Sequence, residues 1–360
     1  MTDIIIIGSG PAGAYCASLL AQDPSLTVTL IDARSFDGSE KSKKSCGGLL
    51  SSHAQKELKK GGLVCPESIK VDPQLTMVDT YDFISGLECF YPRSYINMDR
   101  ALFEQWLISR IPSSVIKHFE TRVTQIEKTE NGYRLNLLKG IEKTILEGRI
   151  LIGADGADSM VRRLFFADRP QPERYVSIQK RYKINDQHYA YFGFFDERIT
   201  DYYSWALQKN NELLVGSALN IDGQVHEKFE ALINRITENT TLKLDEPIVT
   251  EGAIILRPKS LKQLNFSIGN IALIGEASGS ISPTSAEGFS YALKSARILA
   301  KQIRRYGPTS KALKAYDQRC LSIRLSIQFK LLKYPGMYDP WLRKWVMRSK
   351  ITSVKPKKGV

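Results

Sequence analysis

The first thirteen residues restrict the fold of this chain more than any other stretch. Residues 3–7 read Asp-Ile-Ile-Ile-Ile, a β-branched run typical of a buried parallel strand. The motif Gly-Ser-Gly-Pro-Ala-Gly follows at residues 8–13 and leads into a helix-like segment, 14–21. In this strand, turn and helix context the G-x-G-x-x-G spacing predicts a dinucleotide site, with the pyrophosphate at the helix N-terminus.

Each glycine of the motif has its own predicted role. Gly8 permits the tight turn, Gly10 lets backbone approach the pyrophosphate, and Gly13 lets the helix pack on the strand. The predicted second strand, 26–31, ends at Asp32, whose carboxylate is placed to accept hydrogen bonds from the ribose hydroxyls of an adenosine. The same charge disfavours a 2′-phosphate.

Two later strands also end in glycine and a carboxylate. The apolar run 149–153 stops at Gly153-Ala-Asp-Gly156, and the run 271–275 delivers Glu276 at its C-terminal end. Ligands of open parallel sheets bind at the carboxyl ends of the strands. These patterns therefore predict that the three motifs lie at one edge of one sheet.

The three motifs, read as G-x-G-x-x-G, G-A-D-G-x-x-S-x-V-R and G-E-A-x-G followed by proline, resemble the FAD-binding signature of the p-hydroxybenzoate hydroxylase fold, which includes aromatic monooxygenases and geranylgeranyl reductases. Lys44-Ser-Cys-Gly-Gly48, the segment 91–100 and the segment 275–288 are similar to the geranylgeranyl reductase branch. Within it, the chain most resembles the small bacterial flavoproteins named for colicin M resistance. The resemblance implies a Rossmann-like α/β FAD-binding domain, an antiparallel β-sheet substrate domain and a C-terminal helical tail.

The predicted domain boundaries follow the motifs. The FAD-binding domain is discontinuous and comprises residues 1–70, 95–172 and 262–310. The substrate-binding β-sheet domain comprises 71–94 and 173–261, and the basic helical tail comprises 311–360.

The resemblance implies FAD as the cofactor. It places the Glu276 carboxylate on the ribitol chain, Asp155 near the pyrophosphate, and Arg100 on the ribityl-phosphate side, with a solvated helix face as the alternative for Arg100. The predicted cofactor-binding residues are Gly8, Gly10, Ala12, Gly13, Asp32, Ala33, Cys46, Gly47, Gly48, Arg100, Val123, Asp155, Gly156, Gly275, Glu276, Pro283, Ala286 and Gly288.

Residues 282–288, Ser-Pro-Thr-Ser-Ala-Glu-Gly, separate an apolar strand from a helix-like segment. Pro283 is predicted to set the backbone for the helix start, Ser285 to cap the helix, and Gly288 to admit a flat ring. The free amides of such a helix end would stabilise negative charge on a reduced flavin. A plain capped turn is the alternative.

The segment 173–260 predicts successive antiparallel strands rich in aromatic residues, among them Tyr189, Tyr191, Phe192, Phe194 and Trp205. These either wall an apolar cavity over the flavin or form an ordinary sheet core.

The predicted catalytic residues are Cys46, Tyr203 and Trp205. Tyr203-Ser-Trp205 resembles the Y-x-W core of the reductase substrate motif, although Leu207 and Gln208 stand where that motif has Phe-Pro. The proton donor is Tyr203 or Cys46, and the sequence does not choose between them.

Three functions fit these patterns. The first is FAD-dependent reduction of C=C bonds in a small apolar, isoprenoid or lipid-like substrate; the second is FAD-dependent monooxygenation; the third is a flavin-binding stress-response protein with little turnover. No second glycine-rich nucleotide motif follows residue 60, so NAD(P)H or another reductant is expected to bind transiently.

The net charge of +13 is concentrated at the C-terminus, because residues 330–360 hold nine lysines and arginines against one aspartate. Trp341 and Trp345 recur there at helical spacing beside basic residues, which predicts either peripheral contact with an anionic membrane or a helix packed on the body by its tryptophans. A nucleic-acid partner is not expected without a recognition module. Five scattered cysteines indicate neither disulfides nor a metal site, and the expected location is the cytoplasm, at most peripheral to the inner face of the membrane.

Overall fold

The computed structural model describes residues 1–37, 46–185, 188, 190–350, 353 and 354. Its strands, in chain order, are β1 Thr2–Ile7, β2 Val28–Ile31, β3 Leu49–Leu50, β4 Met77–Asp82, β5 Leu87–Pro92, β6 Ile96–Asn97, β7 Ile116–His118, β8 Arg122–Thr129, β9 Gly132–Lys139, β10 Glu142–Gly153, β11 Glu173–Lys183, β12 Ala190–Phe195, β13 Ser204–Lys209, β14 Glu212–Asn220, β15 Val249–Arg257, β16 Ser267–Ile268 and β17 Ile271–Leu273. Its α-helices are α1 Pro11–Leu20, α2 Ser52–Lys60, α3 Arg100–Ser109, α4 Met160–Phe165, α5 Val225–Asn239, α6 Phe289–Tyr306, α7 Ser310–Arg319, α8 Leu321–Tyr338 and α9 Pro340–Ser349.

The first sheet has the strand order β16-β17-β10-β1-β2-β7, with β9 and β8 continuing from β10 as a hairpin. Strands β7, β2, β1, β10 and β17 are parallel, with Ile7 opposite both Ile31 and Gly153, and Gly153 opposite Leu273. β1 is buried along its whole length because α1 and α6 cover one face and the β8–β9 hairpin with α4 covers the other. The five parallel strands therefore end at one edge of the sheet.

The second sheet has the order β15-β11-β14-β13-β12-β4-β5. Its pairs are antiparallel except for β4 and β12, which run in the same direction because β4 and β5 enter the sheet edge from an earlier part of the chain. One face packs against α5 through a core that includes Phe192, Phe194 and Phe229. The opposite face, with Tyr203, Trp205 and Leu207, turns toward the first sheet.

The described elements confirm the predicted Rossmann-like α/β fold with a second β-sheet and C-terminal helices. The strands of the first sheet come from 1–70, 95–172 and 262–310, and those of the second come from 71–94 and 173–261. Whether these segments are separate domains stays a prediction. Among the described helices, none is both long and apolar enough to cross a bilayer.

Of the two alternatives that the sequence left open for the terminal helix, packing on the body by its tryptophans does not hold. Trp341 and Trp345 are 73% and 57% exposed, whereas Arg343 and Met347 are buried against the body. The Arg343 guanidinium donates to the Asp82 carboxylate, with Nε 3.2 Å from Oδ2, and also pairs with Glu197. A buried ion pair rather than indole packing therefore holds α9.

Candidate functional site

Two cavities meet at Gly10 and Ala154, beside the edge where the parallel strands end. One, the dinucleotide cavity, is lined by residues of the first two motifs. The other, the inter-sheet cavity, lies between the first sheet and the inner face of the second. Because Gly10 and Ala154 line both cavities, and open space lies beside Gly10, the lining fits one elongated ligand that passes Gly10.

The glycines of the first motif create this junction. Gly8 has a φ of +99°, and a Cβ there would lie 2.4 Å from the Ala154 carbonyl oxygen. A Cβ on Gly13 would lie 1.8 Å from the Gly8 carbonyl oxygen, so only glycine lets α1 approach the turn so closely. A Cβ on Gly10 would have no atom within 4 Å, because it would point into the open space of the cavities. That open space beside the N-terminus of α1 is where a pyrophosphate fits.

The Asp32 carboxylate lies at the far end of the dinucleotide cavity with Ala33 and Val123. The Ser9 amide donates to its Oδ2 at 2.6 Å, and the Arg34 amide donates to its Oδ1 at 2.9 Å. The Arg34 side chain adds two longer bonds of 3.2 Å, so all four lone-pair positions of the carboxylate are used. A ribose hydroxyl would therefore replace one of the long Arg34 bonds.

Asp155 of the second motif is buried in the wall of the same cavity. Its Oδ2 accepts the Met160 amide at the start of α4 at 2.8 Å, while its Oδ1 has no hydrogen-bond partner among the described residues. Burial raises the pKa of Asp155, and the helix amides oppose this increase. A buried acceptor without a partner, next to the open space at Gly10, fits a cofactor that donates a hydrogen bond there.

The third motif forms a short helical turn, Gly275–Ser278, after β17. The buried Arg162 guanidinium binds this turn, with Nη1 3.3 Å from the Glu276 carbonyl oxygen and 3.2 Å from that of Ala277. The Glu276 side chain reaches the other way, and its Oε1 accepts the Leu256 amide of β15 at 2.9 Å. Glu276 thus lies in the wall of the inter-sheet cavity and connects the two sheets.

Residues 282–288, which we call the flavin loop, are held by side chains of the second sheet and of α8. Four successive carbonyl groups each accept a side-chain hydrogen bond. The pairs are Ser282 with Tyr202 Oη at 2.9 Å, Pro283 with Arg257 Nε at 3.3 Å, Thr284 with Tyr338 Oη at 2.9 Å, and Ser285 with Tyr203 Oη at 2.7 Å. These four bonds fix the backbone of the loop against the second sheet and α8.

Three backbone amides of the flavin loop have no bonded acceptor among the described residues and belong to residues that line the inter-sheet cavity. Ala286 has a left-handed φ of 47°, and its amide donates to Tyr202 Oη at 2.9 Å. The amides of Ser285, Glu287 and Gly288 have no acceptor within the described part of the chain, and all three residues line the cavity. Such amides, next to the N-terminus of α6, can bind a negatively charged group.

The predicted cap of this helix is wrong. Gly288, not Ser285, is the N-cap residue of α6, and the Glu287 carboxylate accepts the Ser290 amide at 2.7 Å in place of a cap side chain. Pro283 precedes the helix by six residues, so it does not set the helix start, and its ring lines neither cavity. The left-handed residue Ala286 separates the proline from the helix.

Cys46, Gly47 and Gly48 line the inter-sheet cavity opposite the flavin loop. The Gly48 amide donates to the Cys46 Sγ at 3.4 Å, and Gly48 has a left-handed φ of 59°. Lys209 fixes this turn, because its Nζ donates to the carbonyl oxygens of Gly48 at 3.0 Å and Met98 at 2.7 Å. Lys44 and Ser45, which belong to the same sequence pattern, lie outside the described residues.

Burial lowers the pKa of Lys209 to about 7, although the nearby Cys46 and Asp99 oppose this decrease. Between pH of about 7 and about 10.5 the unfolded chain then binds more protons than the folded protein, so the free energy of unfolding rises with pH over that interval. We expect Lys209→Met to reduce this slope by up to about 1.4 kcal/mol per pH unit. Urea unfolding across the interval measures the slope, with Lys183→Met, an exposed residue of β11, as the control. Equal slopes in the parent and Lys209→Met would contradict the assignment.

Arg100 opens α3 and lies in the wall of the inter-sheet cavity rather than on a solvated face. Its Nε is 2.8 Å from Glu104 Oε1, and its guanidinium carbon lies 4.8 Å from the centroid of the Phe289 ring. The side chain is therefore fixed beside the start of α6.

The second sheet supplies the opposite wall of the inter-sheet cavity, with Tyr191, Tyr203, Trp205 and Leu207. The Trp205 indole lies flat over Gly216, where a Cβ would approach its Cε2 to 2.5 Å. Phe192 and Phe194 belong to the core under α5 and do not line the cavity, because alternate residues of a strand face opposite sides. Tyr189 lies outside the described residues.

The structure brings together most of the predicted site residues. The predicted cofactor residues in the dinucleotide cavity are Gly8, Gly10, Asp32, Ala33, Val123 and Asp155. Those in the inter-sheet cavity are Gly10, Ala12, Cys46, Gly47, Gly48, Arg100, Gly156, Gly275, Glu276, Ala286 and Gly288, beside the predicted catalytic residues Tyr203 and Trp205. Gly13 and Pro283 line neither cavity, and their effect on a ligand is indirect.

Several side chains that hold the site together were not predicted from the sequence. Arg162 belongs to the second motif, so the sequence indicates that it lies near the site. The sequence does not indicate that its guanidinium binds the turn of the third motif. The others, Lys209, Arg257, Tyr202 and Tyr338, act on backbone carbonyls far away in the sequence. No local pattern marks such contacts.

Comparison with known proteins agrees with this architecture. Residues 6–39 match the family model described as an NAD(P)-binding Rossmann-like domain. A geranylgeranyl bacteriochlorophyll reductase-like protein from Thermoplasma acidophilum superposes with a TM-score of 0.77 at 16% identity, over 97% of this chain and 99% of that one. PqsL from Pseudomonas aeruginosa, described as a probable FAD-dependent monooxygenase, superposes with a TM-score of 0.70 at 16% identity, over 96% and 99%. At these identities the two structures show a shared fold.

The sequence relatives are closer. The protein CbrA of Escherichia coli O9:H4 (strain HS) is 34% identical over 353 residues, which are 98% of this chain and 94% of that protein. This similarity confirms the family that the motifs indicated, the colicin M resistance-type flavoproteins. The chain therefore belongs to the CbrA family.

Proposed function

We propose that this protein binds FAD and reduces C=C bonds of an isoprenoid or lipid-like substrate. The observation that carries the proposal is the arrangement around the inter-sheet cavity. Unbonded amides of the flavin loop lie on one side of it, and the thiol of Cys46 with the apolar wall of Leu207, Ile254 and Ile255 lies on the others. An anion-stabilising site next to a weak acid and an apolar wall suits hydride transfer to an alkene.

The residues present fit FAD along the joined cavities. The open space at Gly10 would take the pyrophosphate, Asp32 the adenosine ribose, and Glu276 the ribitol hydroxyls. The amides of Ser285, Glu287 and Gly288 would hold the flavin edge that gains negative charge on reduction. When bound, the flavin supplies hydride transfer, and the protein supplies orientation, charge stabilisation and a proton.

Cys46 is the better candidate for the proton donor. The hydroxyl hydrogen of Tyr203 is committed to the Ser285 carbonyl at 2.7 Å, and burial raises the pKa of Tyr203 well above its ordinary value. The Cys46 sulfur instead accepts a hydrogen bond from the Gly48 amide and lies beside the Arg100 guanidinium, and no hydrogen bond donated by the thiol is seen among the described residues. In this scheme Trp205 orients the substrate chain, and Tyr203 positions the flavin loop.

The electron donor is proposed to be NAD(P)H or another reductant that binds transiently. In this proposal the flavin and the substrate would fill the two cavities, and after residue 60 the sequence has no further glycine-rich nucleotide motif. A transient donor therefore has to reach the flavin through the inter-sheet cavity before the substrate enters.

FAD-dependent monooxygenation is the second candidate. The observation that favours it is the superposition with PqsL, a probable FAD-dependent monooxygenase, over nearly the whole of both chains. Both activities use the same loop amides to stabilise reduced flavin, so the loop geometry fits them equally. They differ in whether oxygen enters the product.

One experiment separates the candidates. The FAD-loaded protein is first reduced without oxygen by an equimolar amount of dithionite. It is then mixed with a pool of polyprenyl alcohols, polyprenyl phosphates and lipid extract, with and without added oxygen, and the products are analysed by mass spectrometry. We expect products that are heavier by pairs of hydrogen atoms in the absence of oxygen. Products heavier by oxygen, formed only in air, would overturn the reductase in favour of the monooxygenase. No product in either condition, with FAD bound tightly, would instead support a flavin-binding protein with little turnover.

A further inference from the structure

Helix α8 carries apolar side chains on two faces, and only one of them is packed. Ile323 and Ile327 are fully buried in the core beside α6. Leu321, Leu325, Phe329 and Leu332 are between 49% and 67% exposed. Their spacing of four, four and three residues places them along one stripe of the helix.

Helix α9 repeats this arrangement with aromatic residues. Trp341 and Trp345 are one turn apart and exposed, while Arg343 is fixed below them by Asp82 and Glu197. The ion pair holds the helix, so the two indoles project from a fixed backbone. We call the six exposed side chains of the two helices the terminal face: Leu321, Leu325, Phe329, Leu332, Trp341 and Trp345.

The charges beside the terminal face are almost all positive. Residues 321–350 contain seven lysines and arginines and one acid, Asp339, whose Oδ1 accepts the Leu342 amide as the cap of α9. Five of the basic residues form no ion pair with a described carboxylate: Lys330, Lys333, Lys344, Arg348 and Lys350. Exposed leucine, phenylalanine and tryptophan next to unpaired cations complement an anionic lipid surface. A second copy of the chain fits less well, because it would bring five further cations against these.

We propose that the terminal face docks on an anionic lipid bilayer. Its second role, delivery of a lipid-like substrate from that bilayer, rests on the proposed function. The terminal face is linked directly to the flavin loop, because α8 also contacts that loop. Tyr338 Oη of α8 donates to the Thr284 carbonyl at 2.9 Å. The helix that contacts the lipid thus also holds the loop beside the inter-sheet cavity.

Vesicle sedimentation of the full chain tests the docking. We expect the FAD-loaded protein to sediment with vesicles of phosphatidylcholine containing about one third phosphatidylglycerol, and not with phosphatidylcholine alone. Phe329→Ser with Leu332→Ser, and separately Trp341→Ser with Trp345→Ser, should each weaken binding about tenfold or more. Lys333→Gln with Lys344→Gln and Arg348→Gln should weaken it similarly and reduce its dependence on salt.

Matched controls come from the β8–β10 region. Ile141→Ser with Ile145→Ser removes two apolar side chains that are 98% and 67% exposed, and Lys128→Gln with Lys139→Gln and Lys143→Gln removes three exposed cations. Both controls should bind vesicles like the parent. Failure of the parent to bind anionic vesicles overturns the proposal. So does a dimer that Phe329→Ser dissociates without any effect of lipid, because the terminal face would then be an interface between copies.

A separate readout distinguishes this proposal from the proposed function. Turnover is compared for farnesol in dilute detergent and for a long-chain polyprenyl lipid embedded in the vesicles. We expect the terminal-face variants to match the parent on farnesol and to be slower only on the embedded lipid. Vesicle binding without turnover of either substrate would refute the proposed reaction and leave the docking intact; equal turnover of embedded lipid by parent and variants would refute delivery.

Discussion

Replacing Gly10 with alanine is expected to lower FAD affinity about tenfold or more, equivalent to about 1.4 kcal/mol or more, while the apo-protein stays as stable as the parent. Gly10 has an ordinary φ of −64° and precedes α1, so alanine fits the backbone without strain. The new methyl group meets no protein atom within 4 Å and instead occupies the space beside the N-terminus of α1. Flavin absorbance of the purified variant and titration of the apo-protein with FAD measure the loss.

Gly13→Ala, three residues later, should instead lower the stability of the apo-protein. Its methyl group would lie 1.8 Å from the Gly8 carbonyl oxygen, so the turn and α1 must separate. We expect a loss of about 3 kcal/mol or more in the free energy of unfolding of the apo-protein, measured in urea. Gly336→Ala, where a Cβ makes only an ordinary 3.8 Å contact in α8, is the control for both measurements. Unchanged FAD affinity in Gly10→Ala would show that no pyrophosphate lies at this junction.

The sequence was sufficient to predict that the three motifs meet. Each motif follows a short apolar run, and parallel strands end at a common edge. The register of the sheet places Ile7 opposite Ile31 and Gly153, so Gly8, Asp32 and Ala154 begin side by side. This prediction succeeded because it needed only strand identity and direction, which the local pattern specifies.

The start of α6 was mispredicted because its determinants are not local. Pro283 and Ser285 satisfy the usual rules for a helix start, yet Ala286 takes a left-handed φ and delays the helix to Phe289. Hydrogen bonds from Tyr202 and Tyr203, about eighty residues away in sequence, hold the loop in that conformation. Rules for caps use a window of four residues and cannot include such partners.

The orientation of the terminal helix α9 also depends on a residue far away in the sequence. Helical spacing correctly predicted that Trp341 and Trp345 lie on one face of a helix, but it could not determine which face packs. Asp82, the acid that binds Arg343, is on β4, more than 250 residues earlier. The ion pair with this distant partner therefore determines that Arg343, and not the tryptophans, faces the body.

Substitution of Arg257 is expected to cause one of the largest losses of stability among residues outside the cavity walls. Its side chain is fully buried, with the guanidinium carbon 4.0 to 5.6 Å from the ring centroids of four tyrosines, namely Tyr175, Tyr202, Tyr334 and Tyr338. The guanidinium donates to the carbonyl oxygens of Pro283 and Asp201, and to the Tyr175 hydroxyl and the Asp201 carboxylate. It thus joins β15, the flavin loop and α8 at one point.

We expect Arg257→Met to lower the free energy of unfolding by about 2 to 4 kcal/mol, because methionine fills the volume but leaves the buried Pro283 carbonyl and Tyr175 hydroxyl without this donor. FAD affinity should fall as well, since the Pro283 carbonyl loses its partner and the flavin loop relaxes. Urea unfolding and FAD titration measure the two effects. Arg235→Met is the control: Arg235 also pairs with an aspartate, Asp196, and lies over a ring, Phe83, but it is half-buried, so we expect about 1 kcal/mol or less. If the two variants lose the same stability, Arg257 does not hold the loop, and the amides of Ser285, Glu287 and Gly288 must be oriented by the tyrosines alone.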